Sequence, residues 1–257
     1  LMLLGFKFFG PLIGFLLGNI IIILLRLGSI PLKGGTLKID KKFIVFHYAL
    51  PAFVTGVGWM IFTNGQYVLL TALTNPAVTG VYTVALILTS ILVVIPTTLN
   101  SALLPIISQL STEKNSERRQ SYLIGLVFRY SLFIILPLAM TLLIFSKTAI
   151  VIFSRIEYQA ASQFLPLLVI GSVVLGIGGV FLDNIYAIGR TKANRNIVIT
   201  MTLVFLVLAF PFIYIFSALS SEIAYVISNI LLTLISYLYV KKHLRLTLPW
   251  RNISKLV

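Results

Sequence analysis

The chain is 257 residues long, 59% hydrophobic and only 10% charged, with 20 Lys and Arg against 6 Asp and Glu and no cysteine. Soluble domains carry about a quarter charged residues, so this composition, with a mean hydropathy of +1.06, excludes a soluble fold and predicts an all-α membrane protein. Without cysteine there are no disulfides, thiolate metal sites or cysteine nucleophiles, and two histidines leave little for a metal centre, so no cofactor is expected.

An apolar helix of about 17 to 25 residues crosses a hydrocarbon core of about 30 Å. Seven candidate spans follow in chain order, at roughly 4–25, 43–73, 81–106, 122–145, 163–188, 197–217 and 222–240. The first is too long in its apolar stretch for a cleavable signal peptide, and no small-residue cleavage motif precedes Arg26. The second, of about 31 residues, would reach about 46 Å if straight, so it must tilt, protrude or bend; Pro51, Gly56, Gly58 and Gly65 offer the places. Between the second and third spans lies "TNPAVTG", Thr74 to Gly80, read as a turn without charge. Pro96, Pro105, Pro137, Pro166 and Pro211 read singly as ordinary membrane-helix prolines. "GSVVLGIGG", Gly171 to Gly179, follows no strand and is no phosphate loop; it predicts close helix approach or flexibility.

The basic residues alternate between loops. Residues 26–43 carry Arg26, Lys33, Lys38, Lys41 and Lys42, and residues 107–121 carry Lys114, Arg118 and Arg119. Arg190, Lys192 and Arg195 follow the fifth span, and the tail from 241 to 257 holds Lys241, Lys242, Arg245, Arg251 and Lys255. The intervening loops hold only Lys147 and Arg155. By the positive-inside rule this predicts a multi-pass protein of the cell membrane with its N-terminal end outside and its tail cytoplasmic. The bare Asn-Pro turn is then an external one. Basic clusters beside span ends attract anionic headgroups at about 1 kcal/mol per residue, so the lipid bilayer, and not nucleic acid, explains the net charge of +14; no nucleic-acid-binding signature accompanies it. The sequon at Asn252 falls on the cytoplasmic side, where glycosylation is not expected.

Ionisable residues inside spans call for a functional hypothesis. Arg129 and Asp183 each lie six or seven residues, about 10 Å, from the predicted cytoplasmic boundary. They form a structural ion pair, or Arg129 snorkels to the interface, or the two belong to a site. Asn64, Gly65 and Gln66 make a polar cluster in the outer half of the second span, suited to hydrogen-bonding sugar hydroxyls or a neighbouring helix. Asn100 and Ser101 in the third span are open to the same two readings. His47 near the cytoplasmic end and Lys7 near the outer end of their spans read as interfacial. The external segments hold two acids, Glu157 and Glu222, too few for a membrane enzyme that needs paired carboxylates or a metal. No Walker motif binds ATP, and the chain is not expected to be an enzyme.

Several strings, in their order and spacing, resemble the polysaccharide and oligosaccharide flippases of the multidrug/oligosaccharidyl-lipid/polysaccharide exporter superfamily, specifically their C-terminal half. These are "HYALPAFVTGVGWMIFTNGQYVLLTAL", "AVTGVYTVALIL", "LNSALLPIISQLSTE", "FSRIEYQAASQFLPLLVIG" and "LDNIYAIGRTKANR", covering most of the chain from about residue 43. The resemblance implies two lobes around a central cavity. Residues 1–25 would then be the last helix of a truncated first lobe, 26–43 a basic linker and 44–240 a six-helix C-terminal lobe. The partner would be a missing N-terminal lobe, or a second copy if Met2 is a genuine start. The implied activity is flipping of polyprenyl-linked oligosaccharide across the cell membrane for polysaccharide or surface-glycan biosynthesis. A peptidoglycan lipid precursor flippase or a cation-coupled drug antiporter of the same superfamily is the alternative. Arg129 would engage a lipid pyrophosphate, with Asp183 holding it, or a coupling cation, between cargoes. Where the family often has Asp followed by Arg, this chain has Gln66 and Tyr67, which argues against charge handling at that place.

Overall fold

The structure is a computed structural model that describes residues 9–29, 41–216 and 218–244. Lys7, the linker from 30 to 40 and the tail beyond Leu244, with the sequon, lie outside the described residues. The chain divides into two units, Leu1–Lys41 and Lys42–Val257. The first holds α1, Phe9–Ser29, the first expected span. Its Asn19 donates to its own helix, at Phe15 O, over 2.7 Å, which spares a polar donor from facing lipid.

The second unit holds six helices long and apolar enough to cross a membrane, so with α1 the count agrees with the predicted seven. A short α2, Lys41–Ile44, and a π-helical turn, Val45–Ala49, lead into α3, Leu50–Leu73. Pro51 explains the π-turn. Its missing N–H leaves the His47 carbonyl without its i+4 donor, and Leu50 N–H instead closes the wider loop onto Val45 O. The freed His47 carbonyl accepts from Thr191 Oγ1 at 2.5 Å, across 144 positions of chain. Hydroxyls of neighbouring helices commonly satisfy carbonyls freed by membrane-helix prolines.

The chain continues with α4, Pro76–Leu110, α5, Glu117–Ile144, the short α6, Ser146–Phe153, and a 3-10 segment, Ile156–Gln163. Then come α7, Leu165–Ala187, α8, Thr191–Phe216, and α9, Ala218–Leu244. The stretch from Thr74 to Gly80 is not a seven-residue turn. Asn75 is the N-cap of α4, accepting from Ala77 N–H at 2.9 Å, and Pro76 is its first helical residue. Asn followed by Pro is favourable helix-start chemistry because the first helical N–H is an orphan in any case. The third span is therefore longer than read, at 35 residues. Between α7 and α8, Gly189 takes a φ of +77, and Arg190 N–H bonds to Ile185 O, closing α7 with a left-handed glycine cap.

Side-chain contacts set the helix directions. Gln66 meets Tyr82 and Thr71 meets Thr79, so α3 and α4 are antiparallel. Thr202 bonds Gly58 O and Thr191 bonds His47 O, so α8 runs with α3. Asn100 meets Asp183 and Asn184, and Leu92 abuts Gly176, so α7 runs with α4. Tyr225 approaches Ser172 and Tyr237 packs on Phe181, so α9 runs with α7. One end of this lobe therefore gathers Lys42, Lys114, Arg118, Arg119, Arg190, Lys192, Lys241 and Lys242, while Lys147 and Arg155 sit at the other. The alternation of basic loops along the chain is thus a segregation in space.

α7 is the most buried of the six spans, and its glycines let α4 and α9 reach its backbone. A Cβ on Gly176 would lie 2.8 Å from Leu92 O, and one on Gly171 would lie 2.5 Å from Tyr225 Cδ1. At Gly178 it would overlap Thr233 Oγ1 and stand 2.7 Å from Leu232 Cδ2. At Gly179 the nearest atom is Thr97 Cγ2, at 3.9 Å. The glycine run is a helix-packing surface, as its composition suggested. Gly178→Val is expected to lower stability by about 1–3 kcal/mol through overpacking, while Gly179→Ala leaves the melting temperature near that of the parent; thermal unfolding in detergent measures both.

Candidate functional site

Within the span region the polar side chains fall into buried clusters and an exposed stripe. The main cluster joins α4 and α7. Asn100, fully buried, donates from Nδ2 to Asp183 Oδ2 at 3.1 Å and accepts at Oδ1 from Asn184 Nδ2 at 3.0 Å. Asn184 also donates to Val180 O of its own helix at 2.6 Å. One turn into α8, Asn194 donates to Leu182 O at 2.9 Å. This chain of amides holds the Asp183 carboxylate, itself half-buried, near the basic end of the lobe. An amide suits Asn100 because it must donate to one neighbour and accept from the other.

Arg129 is half-buried on α5. Its neighbour Phe128 packs on Phe181 of α7 with ring centroids 5.6 Å apart, which sets Arg129 within about one helical turn of Asp183 in depth. The Asp183 carboxylate takes its donor from Asn100 of α4.

Gln66 and Asn64, neighbours in sequence, part company in space. Gln66 is buried and accepts at Oε1 from the Tyr82 hydroxyl at 2.7 Å, tying α3 to α4. Asn64 is exposed and donates from Nδ2 to Met60 O at 2.9 Å. Ser101 likewise points away from the lobe core while Asn100 points into it. His47 is exposed and stacks on Phe43 with ring centroids 4.4 Å apart.

The exposed polar stripe runs along α3 and α4. On α4 it comprises Ser90, Thr98 and Ser101, with Val94 between, at the spacing of one helix face. On α3 it comprises Thr63 and Asn64. Each of these side chains donates its hydrogen to its own helix. Ser90 bonds Ile87 O at 2.6 Å, Thr98 bonds Val94 O at 2.8 Å, Ser101 bonds Thr98 O at 2.8 Å, and Thr63 bonds Trp59 O at 2.8 Å. With that hydrogen given, each hydroxyl keeps acceptor lone pairs, the Thr63 oxygen also standing 3.4 Å from Asn64 Nδ2, and Asn64 keeps its amide carbonyl as an acceptor. These acceptors stand among exposed apolar side chains, Met60 and Val68 on α3 and Ile87, Ile91 and Val94 on α4, and would accept from a ligand that brings O–H donors.

Three participants escaped the sequence reading. Asn184 and Tyr82 complete hydrogen bonds begun by residues it did name. Glu222, placed in an external segment, lies within α9 and is fully buried. A seven-residue spacing of Glu222, Asn229 and Ser236 was the available signal.

Asn100→Leu would leave Asp183 without this donor and Asn184 without one of its two acceptors inside the bundle. The expected cost is about 1–3 kcal/mol, measured by thermal unfolding, with Asn100→Gln recovering less than half because the longer side chain displaces the amide.

Comparison with known proteins places the chain. No curated protein and no solved structure matches it. The family described as polysaccharide biosynthesis protein matches residues 2–163, from before α1 through the 3-10 segment. The match thus takes in the first span as well as the helices that carry the exposed stripe, Asn100 and Arg129. The chain belongs to the polysaccharide biosynthesis protein family.

Proposed function

We propose that the protein is a flippase that carries a polyprenyl-linked oligosaccharide across the cell membrane, with the basic end of the lobe in the cytoplasm. The observation that carries this reading is the acceptor stripe on α3 and α4. A hydroxyl-bearing face in mid-span gains nothing from lipid, but it suits the wall of a polar cavity, and a sugar headgroup brings the O–H donors that such a wall accepts.

The six-helix unit supplies one such wall. The opposite wall would come from an N-terminal lobe or from a second copy of this chain. The glycan would move through the cavity while the polyprenyl tail stays in the bilayer, by alternating access between lobes. Near the basic end, Arg129 would meet the pyrophosphate, whose oxygens fit a guanidinium fork. Asp183, held by Asn100, would balance that charge between cargoes. The protein's part in this is positioning and charge compensation, with no covalent chemistry.

The test is flipping of a fluorescent polyprenyl-pyrophosphate oligosaccharide in vesicles, with the unit alone and together with an N-terminal lobe. Thr98→Val combined with Ser101→Ala is expected to slow flipping about tenfold, equivalent to about 1.4 kcal/mol. Arg129→Ala is expected to cost more. Correctly inserted protein that moves no lipid-linked glycan in either arrangement would overturn the reading.

A further inference from the structure

We infer that Glu222 is a proton-binding carboxyl inside the lobe, served by a water-bearing seam of α9 side chains. The helix places Glu222, Asn229 and Ser236 at seven-residue intervals, two turns apart, with Ser221 and Ser228 beside the first two. All five side chains are fully buried. Yet both Glu222 oxygens, the Oγ atoms of Ser221, Ser228 and Ser236, and Asn229 Oδ1 have no protein hydrogen-bond partner. Among the described residues six of the nine such atoms lie on this one helix, and every one is an oxygen. Packing imperfection would scatter such atoms over the bundle. Their concentration along one face of α9 marks a line of hydrogen-bonding positions for small polar occupants.

The surroundings of Glu222 decide what it holds. Among the described residues the ionisable groups facing this level are phenols: Tyr82 of α4, within electrostatic range of the carboxyl, with Tyr67 of α3 and Tyr225 of α9 in range of Tyr82. α7 from Leu165 to Leu182, α8 from Met201 to Pro211 and the outer half of α5 from Ile134 to Ile144 bring no ionisable side chain. With no basic partner among the described residues, a buried carboxyl keeps a proton in preference to a charge. A neutral carboxyl then has one O–H to give and one carbonyl to offer, and Ser221, Ser228 and Asn229 hold water within the seam to meet them. Protonation and release involve only the carboxyl and water: the O–H bond breaks, the proton passes to water, and the carboxylate remains. The inference goes beyond the cargo reading and does not depend on it, since proton binding is measured without any lipid-linked substrate.

The experiment uses the full chain in proteoliposomes. A protonated carboxyl in apolar surroundings gives its proton to dicyclohexylcarbodiimide nitrogen and adds through oxygen to the carbodiimide carbon, and mass spectrometry locates the adduct without any variant. Glu222 is expected to be modified at neutral pH in preference to exposed Glu157, with modification falling as pH rises. In infrared spectra the protonated carboxyl band vanishes in Glu222→Gln, and its exchange in deuterated water slows by on the order of tenfold in Asn229→Leu and Ser236→Ala. An unmodified Glu222 with no such band would show an ionised carboxylate and overturn the proposal. So would protection by sodium that is independent of pH, which would make this a metal-cation site. Exchange unchanged in both seam variants would overturn the seam.

Discussion

Every backbone polar group in the hydrocarbon core has to be satisfied inside the protein, and the rest of the fold follows from how this chain meets that constraint at its prolines. Pro51 frees the His47 carbonyl, the helix widens to a π-turn, and Thr191 donates to the carbonyl from the start of α8. That bond fixes the entry of α3 against α8. Pro96 removes the i+4 donor for Leu92 O in α4, and this carbonyl faces Gly176 so closely that a Cβ there would stand 2.8 Å from it. The residues that interrupt the helices also determine which helices may touch.

The same constraint sorts the polar side chains. Some of those pointing into the bundle form specific pairs across long stretches of chain, such as Asn100 with Asp183, 83 positions apart, while those along α9 keep oxygens without a protein partner. Those pointing outward give their hydrogens to their own helix and turn acceptors to whatever lies beyond. The first group ties α4 to α7 near the basic end. The second sets hydrogen-bond acceptors among the exposed apolar side chains of α3 and α4. On the flippase proposal this unit would supply one wall of the cavity, and membership in a polysaccharide biosynthesis family fits a hydroxyl-rich cargo.

The helices and their alternation were legible in the sequence because the two signals involved are local: apolar length for spans, and charge in the loops between them. The shared depth of Arg129 and Asp183 was legible for the same reason, since helix rise converts position into depth. What was not legible depends on rotation about helix axes. Asn64 and Gln66 are two residues apart and end on different faces, one exposed and one bonded to Tyr82. Glu222 stands so near its helix start that it read as external, and only the packing of neighbouring helices buries it. The Asn-Pro pair at 75 and 76 was misread because turn chemistry and helix-start chemistry use the same residues.

The most direct measurement uses the absence of cysteine. Single cysteines are introduced at Thr112 and Lys192, at the basic end, and at Ala77 and Gln159, at the other, and labelled with a membrane-impermeant maleimide in intact cells and in inverted vesicles. All four positions are exposed. Thr112→Cys and Lys192→Cys are expected to label only in inverted vesicles, and Ala77→Cys and Gln159→Cys only in intact cells. Labelling of Thr112→Cys and Ala77→Cys from the same side would contradict α4 as a membrane-crossing helix, and with it the arrangement on which the exposed acceptors of α4 and the Asn100–Asp183 cluster are built.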